Sequence, residues 1–178
     1  MTDRILVINP NSTEEVTRGI DAAMAPLRFP GGPEIECVTL KEGPPGVETQ
    51  AHVESVVQPL ARLVQSRDND TGCFVIACFS DPGMQLCREV TRRPVLGIAE
   101  CGILTALTLG ERFGVIAIKS ASVKRHLRYI GAMGLNDRLA GDLAIDLSVV
   151  ELADERRTFG RMVEVGKRLR DERGADVL

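Results

Sequence analysis

The sequence predicts an α/β protein of two similar lobes, each a mainly parallel sheet flanked by helices. Three observations carry this. The apolar runs at residues 5–8, 74–77 and 113–118 are short and continuous, as in strands buried on both faces. Each leads into a polar turn and then a stretch with helical periodicity, the alternation that builds parallel sheets. The unit repeats: Ser120 follows the strand at 113–118 much as Ser12 follows the strand at 5–8. Residues 1–97 are expected to form the first lobe and residues 98–178 the second.

The elements follow in order. Residues 4–8 are the first strand. Ser12 or Thr13 can cap the helix that runs to about residue 25, and Glu14 and Glu15 in its first turn suit the helix dipole. Pro26, Pro30, Gly31, Gly32 and Pro33 form the return loop to a second strand at 34–40. The EGPPGV segment at 42–47 is a rigid loop. Thr49 caps a long helix to about residue 67, with His52, Val56, Leu60, Leu63 and Val64 on its apolar face. Residues 68–72 turn into the strand at 74–77, and Cys78 sits where that strand should stop. Phe79, Ser80, Asp81, Pro82 and Gly83 then read as a turn into a helix, with Ser80 or Asp81 as N-cap and Pro82 at the first helical position.

The second half continues with a short strand at 94–97 and a helix opened by Glu100, Cys101 and Gly102 that runs from 103 to about 109. The strand at 113–118 leads into a helix to about residue 133. A strand at 143–149 and a charged amphipathic helix at 156–173, ended by Gly174, follow. Residues 175–178 read as the start of a further buried strand.

Composition narrows the function classes. The 178 residues are 44% hydrophobic and 26% charged, ordinary for a globular protein, and with no Trp, one Tyr and five Phe the core must be aliphatic. A net charge of −3 with both signs interspersed lacks the basic face that phosphate backbones require, so nucleic acid is not an expected partner. No apolar run approaches the ~18 residues of a membrane span, and the first residues enter a strand without a signal-peptide core. Five cysteines, an odd number with no C-x-x-C pair, suggest reduced thiols in a cytoplasm. Two histidines, His52 and His126, are too few and too far apart for a zinc site. No G-x-G-x-x-G or P-loop occurs, so no metal, flavin, nicotinamide or pyridoxal cofactor is expected.

The CFVIACFSDPG stretch at 73–83 is where chemistry is most plainly legible. Ligands of open α/β sheets bind outside the carboxyl ends of the strands. A thiol there, facing a helix N-terminus, has a reason to ionise. The stretch alone leaves open whether Cys78 is that reactive thiol or a small buried hydrophobe. The N–H groups of Asn11, Ser12 and Thr13 read either as an oxyanion cradle or as an ordinary capped helix start. Ser80 and Asp81 either hydrogen-bond a ligand or serve as caps. Lys119 either binds a carboxylate or is solvated. His52 reads as a helix-face residue. His126, beside Lys124, Arg125 and Arg128, reads as part of an exposed basic face.

Several blocks together resemble one family, the cofactor-independent aspartate/glutamate racemase superfamily, and within it the hydantoin/allantoin racemase branch. They are ILVINPNST at 5–13, ACFSDPG at 77–83, GIAE at 97–100 and RFGVI at 112–116. The resemblance implies a site in a cleft between two lobes and a small-molecule substrate, most directly a 5-substituted hydantoin or allantoin-like ring. It implies two cysteines on opposite faces of the reacting carbon, one thiolate removing a proton and one thiol returning it. Cys78 matches the first. Asn9, Pro10, Asn11, Ser12, Thr13, Phe79, Ser80, Asp81, Lys119 and Ser120 are the matching substrate-binding candidates, with Asn11, Ser12 and Ser120 holding carbonyl or amide oxygens. The second family cysteine belongs to a block whose approach is matched by GADVL at 174–178, so it is expected beyond Leu178. Cys37, Cys73, Cys87 and Cys101 are not convincing substitutes. Alternatives are an aspartate or glutamate racemase, a one-cysteine decarboxylase of the same superfamily, and a catalytically silent ligand-binding module. A homo-oligomer is expected from the exposed apolar surface of the unfinished lobe.

Overall fold

A computed structural model describes residues 4–178. The first unit comprises the described residues up to Val47 together with Ala51–Glu100, and the second comprises Glu48–Gln50 with Cys101–Leu178. The first carries β1 (Arg4–Asn9), α1 (Glu14–Met24), β2 (Glu34–Thr39), α2 (Gln50–Ser55), α3 (Val57–Ser66), β3 (Cys73–Ile76), α4 (Met84–Val90) and β4 (Val95–Gly97). Its strands are all parallel, in the order β2-β1-β3-β4. Leu6, Ile8, Phe74 and Ile76 on the central strands are fully buried, packed with Val56, Leu60 and Val64 from the segment spanning α2 and α3. The aliphatic core and the α/β class agree with the sequence.

The single helix expected at about 50–67 is two helices that break at Val56. Pro59 is the cause. Its ring has no N–H and collides with the carbonyl four residues back, at Ser55, so the α-helix cannot run through. α3 resumes with Leu60 N donating to Val56 O at 2.9 Å.

α5 (Ile98–Leu109) begins directly after β4, slightly ahead of the opening expected at Glu100, Cys101 and Gly102. The second unit adds β5 (Phe113–Ala117), α6 (Ser120–Ala132), β6 (Leu139–Ala144) and α7 (Glu155–Arg173). β5 and β6 pair in parallel, and Val177 makes a single parallel bridge to Phe113. α7 ends as expected, with Gly174 in the left-handed conformation. The strand expected at 143–149 instead spans Leu139–Ala144. Ile145 N and Leu147 N still donate to Ala117 O and Ile118 O, at 2.8 and 3.0 Å. Asp146 between them sits at φ 54, which takes the chain out of the pleat and ends the strand. Among the described residues, no helix is long and apolar enough to cross a membrane.

His126 corrects the reading of α6 as an exposed basic face. It is buried, with Nδ1 2.8 Å from Asp142 Oδ2, and the side chains are 7% and 1% exposed. Arg125 is buried too, donating to Ser122 Oγ at 3.1 Å and Glu48 O at 3.4 Å. The run of Lys, Arg and His hides two sides of one helix: the guanidinium and imidazole are covered while Lys124 and Arg128 flank them. Asp142 Oδ1 has no hydrogen-bond partner, so His126 provides that carboxylate's only tie among the described residues. Replacing His126→Ala is expected to lower unfolding free energy by about 1–3 kcal/mol, the cost of an unsatisfied buried polar group. Urea denaturation checks this; an exposed residue would change it by less than about 0.5 kcal/mol.

Candidate active site

In the four-stranded sheet, the chain moves outward from β1 to β2, then crosses back to build β3 and β4 on the other side. The reversal point lies between β1 and β3, and ligands of open α/β sheets bind where such neighbouring loops part, at the carboxyl ends of the strands. The register pairs Ile8 with Ile76, and Ala77 N donates to Ile8 O at 2.9 Å. Residues 9–13 and 78–81 therefore leave adjacent strands at the same edge. This places Asn9, Pro10, Asn11, Ser12 and Thr13 next to the turn holding Cys78, Phe79, Ser80 and Asp81.

The first turn is held by buried carboxamides. Asn9 Nδ2 donates to Asn11 Oδ1 at 3.0 Å, Thr17 Oγ1 at 3.0 Å and Thr13 O at 3.3 Å. Thr17 Oγ1 lies 2.5 Å from Thr39 Oγ1, which carries the network to β2. The N–H groups expected to cradle an anion are all occupied inside the protein. Asn11 N donates to Asn9 Oδ1 at 3.1 Å, Ser12 N to Pro44 O at 2.9 Å and Thr13 N to Asn11 Oδ1 at 2.9 Å. A buried turn must satisfy its own N–H groups, and these side chains and the 42–47 loop do so. Thr13 is the N-cap residue of α1 by position, but its hydroxyl donates to Pro45 O instead of capping. Pro10 is buried. Ser12, half-buried, has a side-chain hydroxyl with no hydrogen bond among the described residues.

The second turn is tied from inside. Cys78 O accepts from Ser80 N at 2.7 Å and Asp81 N at 3.0 Å. Asp81 does not cap the helix that follows it in sequence. That helix, α4, starts at Met84 with left-handed Gly83 at its N-cap, so Pro82 precedes the helix. The Asp81 carboxylate instead accepts from Ala99 N at 3.0 Å and Glu100 N at 2.7 Å, the opening N–H groups of α5. α5 emerges from β4 without a loop, so it has no preceding Ser, Thr or Asn of its own to serve as cap. Phe79 is 38% exposed at this edge, Ser80 and Cys78 are half-buried, and Asp81 is 5% exposed.

The other thiols differ in kind. Cys87 is fully buried in α4, and burial pushes its thiol up to about 11. Burial, then a hydrogen bond with Asp21, raises Cys37. Both therefore stay protonated near neutral pH. Cys73 opens β3, at the opposite sheet edge from residues 9–13. Cys101 is exposed in α5. Among the described residues, no group of three or more His, Cys, Asp and Glu could hold a metal ion.

In the second unit, Lys119 precedes α6 and Ser120 opens it. Ser120 N and Oγ both donate to Asp146 Oδ1, at 2.9 and 2.5 Å. Those bonds hold the Asp146 carboxyl below its ordinary range, with Lys119 and Arg161 adding charge. Glu151 is brought down to about 2 by Ser148 N and Oγ, assisted by Arg157 and Lys119. Lys119 thus stands near two carboxylates, and Ser120 is committed to one of them.

Sequence reasoning missed Gly43, Gly97, Thr17, Thr39 and Asp146. Gly43 and Gly97 carried a signal only in retrospect: a Cβ at Gly43 would lie 2.3 Å from Pro10 O, and one at Gly97 2.2 Å from Asp81 Cγ. Gly97→Ala is therefore expected to lower stability by about 1–3 kcal/mol through overpacking, read by urea denaturation. Glu151 and Asp146 have depressed folded-state pKa values, so their stabilisation is present above their ordinary range and lost as pH falls. The urea midpoint is expected to drop as pH goes from 4.5 toward about 2, and Glu151→Gln to flatten part of that slope.

The comparisons with known proteins agree with this architecture. The Asp/Glu/hydantoin racemase family matches residues 5–178. A hydantoin racemase of Paenarthrobacter aurescens is 32% identical over 178 residues, covering 97% of this chain and 74% of that protein. One of Pseudomonas sp. strain NS671 is 29% identical over 178 residues, covering 98% and 71%. Among solved structures, allantoin racemase from Klebsiella pneumoniae superposes with a TM-score of 0.80 at 27% identity, covering 98% of this chain and 81% of that one. A family match along nearly the whole chain, together with these relatives, establishes that this protein is an isomerase of the Asp/Glu/hydantoin racemase family.

Proposed function

We propose that this protein exchanges the proton on a carbonyl-activated stereocentre of a 5-substituted hydantoin or allantoin-like ring, with Cys78 as the acid/base on one face. The observation that carries the reading is the position of Cys78. It follows the strand next to β1 at the sheet's reversal point, at the edge where the 9–13 turn also leaves, and the residue is half-buried against the margin of the aliphatic core. The named hydantoin and allantoin racemases favour that ring over a free amino acid.

The Cys78 thiolate takes the proton from the ring carbon, and the electron pair moves into the adjacent carbonyl as an enolate. Proton return to the opposite face inverts the centre; return to the same face restores it. An enolate oxygen needs a donor aimed at it. With the main-chain N–H groups of Asn11, Ser12 and Thr13 committed internally, the Ser12 hydroxyl and the Asn11 side-chain amide are the donors this turn offers. Phe79 gives the ring substituent an apolar neighbour. The two-base form, with a second thiol on the far face, follows from the family resemblance.

Cys78→Ser is expected to abolish both loss of optical rotation and deuterium uptake from heavy water at the stereocentre, with the far-ultraviolet circular dichroism unchanged. A variant that keeps most of its exchange rate overturns the assignment. Running hydantoins, allantoin and aspartate side by side, with carbon dioxide release from an arylmalonate as a fourth arm, identifies the substrate class.

A further inference from the structure

We infer that Asp81 is a positioning residue that fixes where the Cys78 thiol stands; this rests on Cys78 being the acid/base. Asp81 joins two elements through different parts of itself. Its main-chain N–H, with that of Ser80, holds the Cys78 carbonyl. Its carboxylate holds the start of α5 through Ala99 N and Glu100 N. The turn carrying the thiol and the helix leaving the neighbouring strand are thereby locked together through one residue.

Three further features fit that role. Asp81 is in the left-handed region at φ 40, unusual for a residue with a side chain, though aspartate tolerates it better than most. That conformation lets the backbone turn back on Cys78 while the side chain reaches α5. Gly97 leaves the volume the carboxylate occupies, since a Cβ there would lie 2.2–2.4 Å from Cγ, Oδ2 and Oδ1. Arg88 of α4 braces the same junction, donating to Val95 O at 3.0 Å and Glu100 Oε2 at 2.5 Å. A carboxylate with both oxygens on main-chain N–H groups, 5% exposed, is placed to hold structure and not to grip a ligand.

Iodoacetamide labelling of the full chain, followed by peptide mass analysis, tests the inference without a known substrate. Asp81→Asn keeps the shape and one acceptor oxygen but turns an amide toward an N–H; Asp81→Ala removes both bonds. Cys78 is expected to change its alkylation rate by about tenfold in Asp81→Asn, and by more in Asp81→Ala, while Cys37 keeps its rate. An unchanged Cys78 rate overturns the inference. So does a parallel change at Cys37, because Asp81 would then support the whole unit and not the thiol. With an enantiopure hydantoin, Asp81→Asn is expected to lower kcat with KM nearly unchanged; a raised KM with kcat preserved would make Asp81 a substrate contact and overturn it. If Cys78→Ser remains active, the functional reading fails separately from the labelling result.

Discussion

Asn9 and Asn11 are buried carboxamides at the end of the sheet's central strand, and their hydrogen bonds let the chain turn there. A parallel strand that stops inside a core leaves main-chain N–H groups that water cannot reach, and each must find an acceptor. Asn9 Oδ1 and Asn11 Oδ1 accept from Asn11 N and Thr13 N, while Asn9 Nδ2 ties the turn to α1 through Thr17. The 42–47 loop supplies the remaining acceptors at Pro44 and Pro45. Everything else at this edge is arranged around a turn that has already satisfied itself. What it leaves for a ligand is side-chain donors, the Ser12 hydroxyl and the Asn11 amide, not a nest of main-chain N–H groups.

The same economy recurs where the other strands end. Asp81 and Asp146 are the two residues other than glycine in the left-handed region among those described. Each sits just past a strand, and each gives its carboxylate to the helix that leaves the neighbouring strand. Asp81 reaches α5 after β4, and Asp146 reaches α6 after β5. A short side chain with two acceptor oxygens suits this. It tolerates positive φ, and it closes a helix start that the abrupt strand-to-helix passage leaves uncapped.

The architecture was legible because buried parallel strands leave a plain trace: continuous apolar runs, each followed by polar turn residues. Boundaries were less so. Pro59 signals the helix break only when its clash with the Ser55 carbonyl is counted against an otherwise periodic stretch. The β6 misreading came from Ile145 and Leu147, which are buried by packing although Asp146 has taken the chain out of the pleat. His126 was misjudged because a basic run looks solvated until its partner is known, and Asp142 lies sixteen residues away. At the candidate site, the residue types were readable but their hydrogen-bond partners were not. Asp81 bonds to residues 99 and 100 across two strands, and local sequence holds no sign of that.

Gly43 sets a rule for anyone reshaping this edge of the sheet. Its missing side chain lets the 42–47 loop press against the Pro10 carbonyl. The loops after β1 and β2 are in this respect a single interlocked surface, and diversifying either alone would mostly yield broken folds. A mutant library would gain most by varying Ser12 and by leaving both close-contact glycines untouched.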